Sequence, residues 1–291
     1  MAFEIPAHFA ESFTTNTELL LQEKRSKFAE TVATDDHMGN KSAQVVKQFG
    51  EVEFQDNTTR NGDTNFSEIE HKQRWVFPTD GDLALPVDRE DDKKMLNSPV
   101  SPYVSAMVSA HNRRRNRVFI AAALGDAKTG VNGGTTTAFD TANQQIAAGA
   151  SGLTISKLRT AKEIFGGNEM EEEGDRFYIA LSPKQRTDLL ETTEVTSSDY
   201  NSVKALVAGD IDTFMGFKFI LHNNLLVDGS ANRRLVAWSS TAVRMAQWGG
   251  LFTRIGERSD KKYLTQVFMQ ATIGATRTQE KKVIEILCSE A

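Results

Sequence analysis

The chain has little of what metal and disulfide chemistry needs. Cys288 is the only cysteine among 291 residues, which excludes an internal disulfide and any metal site built from several cysteines. We expect this thiol to be a small buried apolar side chain near the end of a strand. The five histidines lie on separate segments, and no pair has the spacing of a zinc motif. The sequence therefore predicts no metal and no cofactor.

Long apolar runs are also missing. No eighteen consecutive residues are apolar, and the first thirty lack the basic start and apolar core of a signal peptide. We expect no membrane span, no secretion, and residence in a cytoplasm. Hydrophobic residues make up 39% and charged residues 25% of the chain, which is typical of a soluble globular protein with one large or two modest domains. The net charge of −5 argues against a general DNA-binding protein, which needs a basic face.

Segments that resemble catalytic motifs fail in their details. Residues 122–129 have alanines where a phosphate-binding loop needs glycines, and they follow a predicted helix instead of a strand. Residues 149–152 fall short of a nucleophile elbow, and the acidic residues at 80–82 and 88–92 lack the spacing of a calcium loop. Two catalytic carboxylates can lie close in space and far apart in sequence, so the sequence does not exclude such a pair. We assign no catalytic residue and expect a protein that is not an enzyme.

What the sequence does have is one long helical stretch, from Ser101 to Gly125. Ser101 can cap its start, Pro102 suits the first turn, and Gly125 suits a left-handed end. The apolar residues that recur at three- and four-residue steps are Val104, Met107, Val108, His111, Val118, Phe119 and Ala122. A helix of about 24 residues is roughly 36 Å long, so we interpret this one as a spine along which other elements pack.

A basic cluster lies in the middle of this spine, and its members are Arg113, Arg114, Arg115 and Arg117. No acidic residue lies between Ser101 and Leu124, whereas residues 50–92 carry twelve acidic side chains against four basic ones. Opposite charges on two extended elements favour docking between them, although both can equally be solvated surfaces. Without interleaved aromatic residues the cluster is a weak nucleic-acid signal, but it can face a polyanion.

Residues 49–77 have the pattern of a long two-stranded ribbon. Apolar residues alternate on both sides of Asn61-Gly62, a pair typical of a type I′ turn. Folding about this turn pairs Phe54 with Ile69, Val52 with His71, and Val46 with Phe77. Arms of roughly 40 Å are marginally stable alone, so we expect the ribbon to pack on a neighbouring copy; the alternative is an edge hairpin folded over its own subunit. The predicted contact residues between subunits are Phe54, Arg60, Asn61, Gly62, Phe66, Ile69 and Trp75.

The remaining sequence predicts an arm, a loop and a mixed α/β region. Residues 1–48 have too few apolar side chains to fold alone, so we expect an arm that lies on other structure, or else a short helical cap on the same subunit. Residues 126–152 are rich in Gly, Thr, Ala and Asn and predict a long surface loop. Beyond them we predict helices at 154–165, 182–191 and 200–208, strands at 176–181, 216–221, 234–238 and 282–288, and a long hairpin about Ser259-Asp260.

Several short patterns follow one another in a definite order around and after the spine. They are Asp88-x-x-Asp91, Asn97-Ser-Pro99-x-Ser-Pro-Tyr103, Lys184-Gln185-x-x-x-Leu189-Leu190, Asp199-Tyr200, Lys204-Ala205-Leu206 with Gly209, and Gly216-Phe217-x-Phe219-Ile220-x-x-Asn223-Asn224-Leu225. In order and spacing they resemble tailed-phage major capsid proteins with the Hong Kong ninety-seven capsid fold. The resemblance covers about residues 80–288 and is most specific from Asp199 to Leu225.

The resemblance implies an α+β fold with four parts, one of which contains the long spine helix. Placed on this chain, they are an N-terminal arm (1–48), an extended E-loop hairpin (49–92), a peripheral domain with the long spine helix (93–149 and 241–277), and an axial domain (150–240 and 278–291). The implied function is that of a major capsid protein of a tailed double-stranded DNA bacteriophage, which self-assembles into hexamers and pentamers of an icosahedral shell around the genome. The alternatives are an encapsulin-like bacterial shell, an α/β enzyme with its site in 150–240, and a nucleic-acid binder that uses residues 113–117.

The resemblance also implies partners. They are further copies of the chain, a portal protein, packaged double-stranded DNA held by non-specific contact, and in some relatives a decoration protein. No long helical segment precedes the arm, so we expect a separate scaffolding protein. The lysine, asparagine and glutamate that cross-link some relatives cannot be placed here, and that chemistry is not carried over. We expect a component of the virion capsid that assembles in the host cytoplasm and binds no membrane.

Deletion of residues 56–66 should leave a soluble monomer that cannot close shells, because the deletion removes the part of the ribbon predicted to reach a neighbouring copy. Sedimentation and negative-stain microscopy of the purified chain measure this directly. Particles of normal size from the deletion variant would contradict the predicted role of the ribbon.

Overall fold

The computed structural model describes residues 23–39, 42–54, 66–87, 100–170, 174–191 and 213–290. Within these ranges the α-helices are α1 (Val100–Leu124), α2 (Ile155–Gly167) and α3 (Pro183–Glu191). The earlier strands are β1 (Ala33–His37), β2 (Ala43–Phe49), β3 (His71–Val76), β4 (Thr79–Val87), β5 (Ala127–Thr129), β6 (Thr135–Thr137) and β7 (Gln145–Ile146). The later strands are β8 (Phe177–Leu181), β9 (Thr213–Phe214), β10 (Phe217–Leu221), β11 (Arg233–Ser239), β12 (Val243–Arg258), β13 (Leu264–Arg277) and β14 (Val283–Cys288). They form sheets with the orders β1-β12-β13-β4, β7-β14-β11-β8-β10-β9 and β2-β3-β5-β6.

The predicted spine is confirmed as α1, but both of its ends differ from the prediction. The helix begins at Val100, so Ser101 lies within its first turn. Gly125 donates its amide to the Ala121 carbonyl at 2.8 Å and does not adopt the left-handed conformation. The guanidinium of Arg277 caps this end instead, because its Nη1 donates to the carbonyls of Ala123 at 3.0 Å and Gly125 at 2.7 Å.

The two halves of α1 are buried against different partners. In the first half, Met107 packs with Val267 and Met269 of β13. In the second half, the residues that enter the main core are Phe119, Ile120, Ala123 and Leu124. The predicted single stripe is therefore only partly right, because Val108 is exposed and three of these four core residues lie outside the stripe. A helix that is covered on several sides buries more than one stripe.

The long sheet confirms the second predicted hairpin and extends it. β12 pairs antiparallel with β13, which pairs antiparallel with β4. The alternation in the sequence predicts a strand only after Gly250, whereas β12 begins at Val243. The cause is a pair of glycines, Gly249 and Gly250, whose φ angles of 73° and 75° lie in the left-handed region. They interrupt the ladder between Trp248 and Phe252, and with it the alternation of side chains.

The six-stranded sheet forms the main core together with α2 and α3. All five residues of β8 are buried, as expected for a strand covered on both faces. The other predicted strands of this region are confirmed, and Cys288 is the buried last residue of β14. The capping box predicted for α3 is only half formed, because the Gln185 amide donates to Ser182 Oγ but the Gln185 side-chain oxygen accepts from Leu153. The predicted helix at 200–208 lies outside the described residues.

The described part of the ribbon has a different register from the predicted one. The ladder between β2 and β3 places Phe49, and not Val52, opposite His71, and it does not pair Val46 with Phe77. These two predicted pairs are therefore wrong. The prediction assumed a tight two-residue turn, and from Val46 to Phe49 the observed ladder is offset from that register by an odd number of residues. Such an offset turns the side chains of one strand to the opposite face.

The described part of the predicted arm packs on its own subunit. Phe28 is fully buried, and its ring centre lies 4.8 Å from that of Phe119 and 5.5 Å from that of Trp238. β1 follows and pairs in parallel with β12. Residues 23–39 therefore do lie on other structure, and that structure belongs to the same chain, because an aromatic anchor and a strand pairing hold them there.

The predicted long loop is also partly structured. β5 and β6 extend the ribbon sheet beside β3, and β7 pairs in parallel with β14 in the six-stranded sheet. Strands of two or three residues are too short to carry a periodic pattern, so they form here because neighbouring edges offer partners. Residues 127–146 therefore connect the ribbon sheet to the main core.

Phe28→Ala should lower the free energy of unfolding by about 3–5 kcal/mol, because it leaves a cavity between α1 and the six-stranded sheet. Urea unfolding followed by tryptophan fluorescence measures the change, and Trp238 reports from the same cluster. Met38→Ala is the control, since Met38 is 79% exposed. An equal effect in the two variants would contradict the anchoring role of Phe28.

Candidate assembly surface

The ribbon leaves the body with large apolar side chains unburied. Past the β2–β3 ladder, the Gly50 amide donates to the Glu70 carbonyl at 2.7 Å. Farther out, Phe54 is 106% exposed, Phe66 is 93% exposed and Ile69 is 45% exposed. Side chains of this kind normally belong to a core, and a monomer rarely presents several of them together. These three predicted contact residues are therefore open to another molecule.

The other predicted contact residues of the ribbon differ in position. Trp75 is half-buried, and its indole Nε1 donates to the Gly130 carbonyl at 2.8 Å. This bond joins β3 to the segment after β5 within one subunit, so Trp75 supports the base of the ribbon. Arg60, Asn61 and Gly62 lie outside the described residues.

Exposed carboxylates border the apolar side chains of the ribbon, and they belong to Glu51, Glu53, Glu68 and Glu70. Lys72 pairs with Glu70 at 2.9 Å, but the two side chains are 56% and 65% exposed, so the pair contributes little to stability. Both sides of the ribbon therefore carry negative charge. This charge opposes contact between two ribbons and favours a partner with basic groups.

A buried ion network fixes the ribbon to the body. Arg74 Nη2 donates to Glu280 Oε2 at 2.7 Å, and Arg277 Nη2 lies 3.6 Å from the other oxygen of the same carboxylate. The arginine side chains are 4% and 0% exposed, so their charges rely mainly on this carboxylate. Local sequence patterns could not predict the contact, because 206 positions separate Arg74 from Glu280.

The spine arginines do not form one surface. Successive helix residues point about 100° apart, so they meet different surroundings. Arg114 donates to the carbonyls of Ala271 at 2.7 Å and Thr79 at 2.6 Å, which ties α1 to the long sheet. Arg115 is half-buried, and burial lowers its pKa, whereas Arg117 is exposed. The predicted basic cluster is therefore divided between internal and external roles.

Arg113 lines a cleft of about 870 Å³ between α1, the segment before β1 and the turn after β10. The described residues around it are mostly cationic or amide side chains: Glu23, Lys24, Arg25, Lys27, Arg113, Asn223 and Asn224. Asn112 of α1 holds this segment in place by donating to the Lys24 carbonyl at 2.9 Å. Three separate stretches of sequence form the cleft, so sequence reasoning identified only its Arg113 side and part of the motif that ends at Leu225.

The described residues contain no cluster of three or more His, Cys, Asp or Glu side chains that could hold a metal ion. Burial raises the pKa of the Cys288 thiol to about 11, so this thiol is protonated and unreactive near neutral pH. Its neighbour Lys157 donates from Nζ to four backbone carbonyls, which is a structural role. No helix in the described ranges is long and apolar enough to cross a membrane.

Solved phage capsids share this fold. The capsid of Ralstonia phage GP4 matches with a TM-score of 0.73 and 12% identity, over 99% of this chain and 97% of that chain. The capsid of cyanophage P-SCSP1u matches with a TM-score of 0.71 and 13% identity, over 98% of this chain and 94% of that chain. The capsid of cyanophage Pam1 matches with a TM-score of 0.69 and 13% identity, over 100% of both chains. The fold class is that of tailed-phage capsid shells of the Hong Kong ninety-seven type.

A sequence model of the family described as phage capsid protein matches residues 5–290, and the chain belongs to this family. No curated protein matches the chain. The resemblance stated from the sequence is confirmed: the protein is a capsid shell protein of the tailed-phage type. Assembly into a shell implies that copies of the chain associate with one another, and it makes the chain a component of the virion capsid.

Glu280→Gln should lower the free energy of unfolding by about 3–5 kcal/mol, because two buried guanidinium groups then lack their counter-charge. Chemical denaturation near neutral pH measures the loss. Asp260→Asn is the matched control, since the side chains of the Arg258–Asp260 pair are 46% and 53% exposed and its loss should leave stability unchanged. If neither replacement lowered the free energy of unfolding, the ion network would not stabilise the base of the ribbon.

Proposed function

We propose that many copies of this chain assemble as hexamers and pentamers into an icosahedral shell around a double-stranded DNA genome. The observation that carries the proposal is the exposed apolar part of the ribbon, above all Phe54 and Phe66. A neighbour that covered these rings would gain about 1.5–3 kcal/mol from each. In a closed shell the same contact recurs at every symmetry-related position, so modest contacts add up to a stable particle.

The surface that receives the ribbon is the tip of the β12–β13 hairpin on a neighbouring copy. Phe252, Ile255 and Tyr263 are 54%, 51% and 57% exposed there, which matches the apolar side chains of the ribbon. Residues 252–263 carry four basic side chains against two acidic ones, so their net charge is opposite to that of the ribbon glutamates. Apolar fit and opposite charge together favour this pairing over contact between two ribbons.

The proposed parts of the subunit follow the sheets with two adjustments. The proposed parts remain the E-loop (49–92), the peripheral domain (93–149 and 241–277) and the axial domain (150–240 and 278–291), except that the pairing of β7 with β14 supports a boundary before Gln145. β2 belongs to the base of the E-loop, although part of it falls within the predicted arm. These adjustments leave the ribbon as the main described element that projects from the body.

The further partners proposed are those that the resemblance implies. They are a separate scaffolding protein during assembly, a portal protein, a decoration protein, and packaged DNA held by non-specific contact. Assembly is proposed to take place in the host cytoplasm. An acidic chain, with a net charge of −5, suits a container that surrounds DNA without gripping it over its whole surface.

Phe54→Asn/Phe66→Asn should abolish shells and leave the subunit folded, because both rings are exposed in the monomer and buried only by a neighbour. Negative-stain microscopy measures particles, and urea unfolding of the same samples measures stability. Val227→Asn is the control, since Val227 is 49% exposed on the loop after β10. Shells of normal size and yield from the double variant would overturn the proposal.

A further inference from the structure

The cleft beside Arg113 has an excess of positive charge. Among the described lining residues, Lys24 and Arg25 are exposed, Arg113 is half-buried, and Lys27 makes a fourth basic residue, whereas Glu23 is the one acid. The chain as a whole has a net charge of −5, so composition does not explain this local excess. A concave region with several cations raises the local concentration of anions, and of phosphate groups in particular.

Glu23 offsets only one of these four positive charges, and its carboxylate is bound to α1. Its Oε1 accepts from the Asn116 amide at 2.6 Å, and its side chain is 14% exposed. His222 Nδ1 lies 3.5 Å from the same oxygen, and burial lowers the pKa of His222. The histidine is therefore neutral near pH 7, and the described lining residues carry four positive charges and one negative charge.

The segment that carries the cations is held in place by α1. Asn112 donates to the Lys24 carbonyl at 2.9 Å, and Ser26 donates to Asn116 Oδ1 at 2.8 Å. The fully buried Phe28 then anchors the same segment in the core. Because its backbone is fixed at these points, the segment loses little freedom when a ligand binds.

We propose that this cleft binds the phosphate backbone of packaged double-stranded DNA, and that the side of α1 bearing Arg113 faces the interior of the shell. The inference rests on the proposed shell function. Arginine, lysine and asparagine side chains are common donors to phosphate oxygens. None of the described lining residues is aromatic, so the cleft offers no platform on which the bases of a single strand could stack.

The test is the affinity of the full-length chain for a short labelled DNA duplex, measured at several salt concentrations. Lys24→Glu/Arg25→Glu should weaken binding about tenfold or more and reduce the slope of log affinity against log salt by about 1.8, because two phosphate contacts are lost. Asn223→Asp/Asn224→Asp keeps every basic residue and the size of the side chains, and it should weaken binding in the same direction. Two duplexes of unrelated sequence should bind equally.

Arg159→Glu/Lys218→Glu is the matched control, since it changes the net charge by the same amount at exposed residues of α2 and β10. Its affinity and salt slope should stay within about twofold of the unaltered chain, because these charges lie outside the cleft. Equal losses in the control and in the cleft variants would overturn the proposal. So would tighter binding of a single strand than of the duplex.

Negative-stain microscopy of the same preparations separates this inference from the proposed function. Shells formed by the cleft variants, with DNA affinity unchanged, would overturn the inference and leave the shell function standing. Failure of the unaltered chain to form shells, both alone and together with the proposed scaffolding protein, would overturn the proposed function, and with it the assignment of an interior face.

Discussion

Two buried guanidinium groups that share one carboxylate determine how the parts of this protein are joined. Arg277 caps the end of α1, Arg74 belongs to β3 at the base of the ribbon, and Glu280 lies between them just before β14. Removing two cations from water is costly, so the arrangement persists only while all of its members meet. The spine, the main core and the ribbon are therefore held in one relative position.

The structure separates what is stable within one chain from what needs a partner. Phe28, Phe119 and Trp238 bury one another in the core, whereas Phe54 and Phe66 remain in solvent. A shell subunit needs both conditions, because a rigid body defines the angle at which copies meet and the exposed rings are buried only when they do meet. The carboxylates of the ribbon also help to keep the unassembled chain in solution.

α1 divides the molecule into two sides with different chemistry. On one side Met107 and Arg114 fasten the helix to the long sheet. On the other side Asn112 and Asn116 hold the segment that enters from the amino-terminal direction, and Arg113 faces the cleft that this segment completes. A single helix with a basic sequence thus supplies internal bonds on one side and external charge on the other, since its side chains point in all directions around the axis.

Patterns within short stretches of sequence determined much of this fold. The spine, the β12–β13 hairpin and the buried strands of the main core follow from patterns among near neighbours along the chain, and the burial of Cys288 follows from the apolar character of a lone thiol. The order of short motifs likewise pointed to the capsid family. Tertiary structure alone decided the register of the ribbon, the anchoring of residues 23–39 by Phe28, the separate roles of the spine arginines and the cleft. Each of these depends on contacts between residues that are far apart in the sequence, and such contacts cannot be predicted from the spacing of residues along the chain.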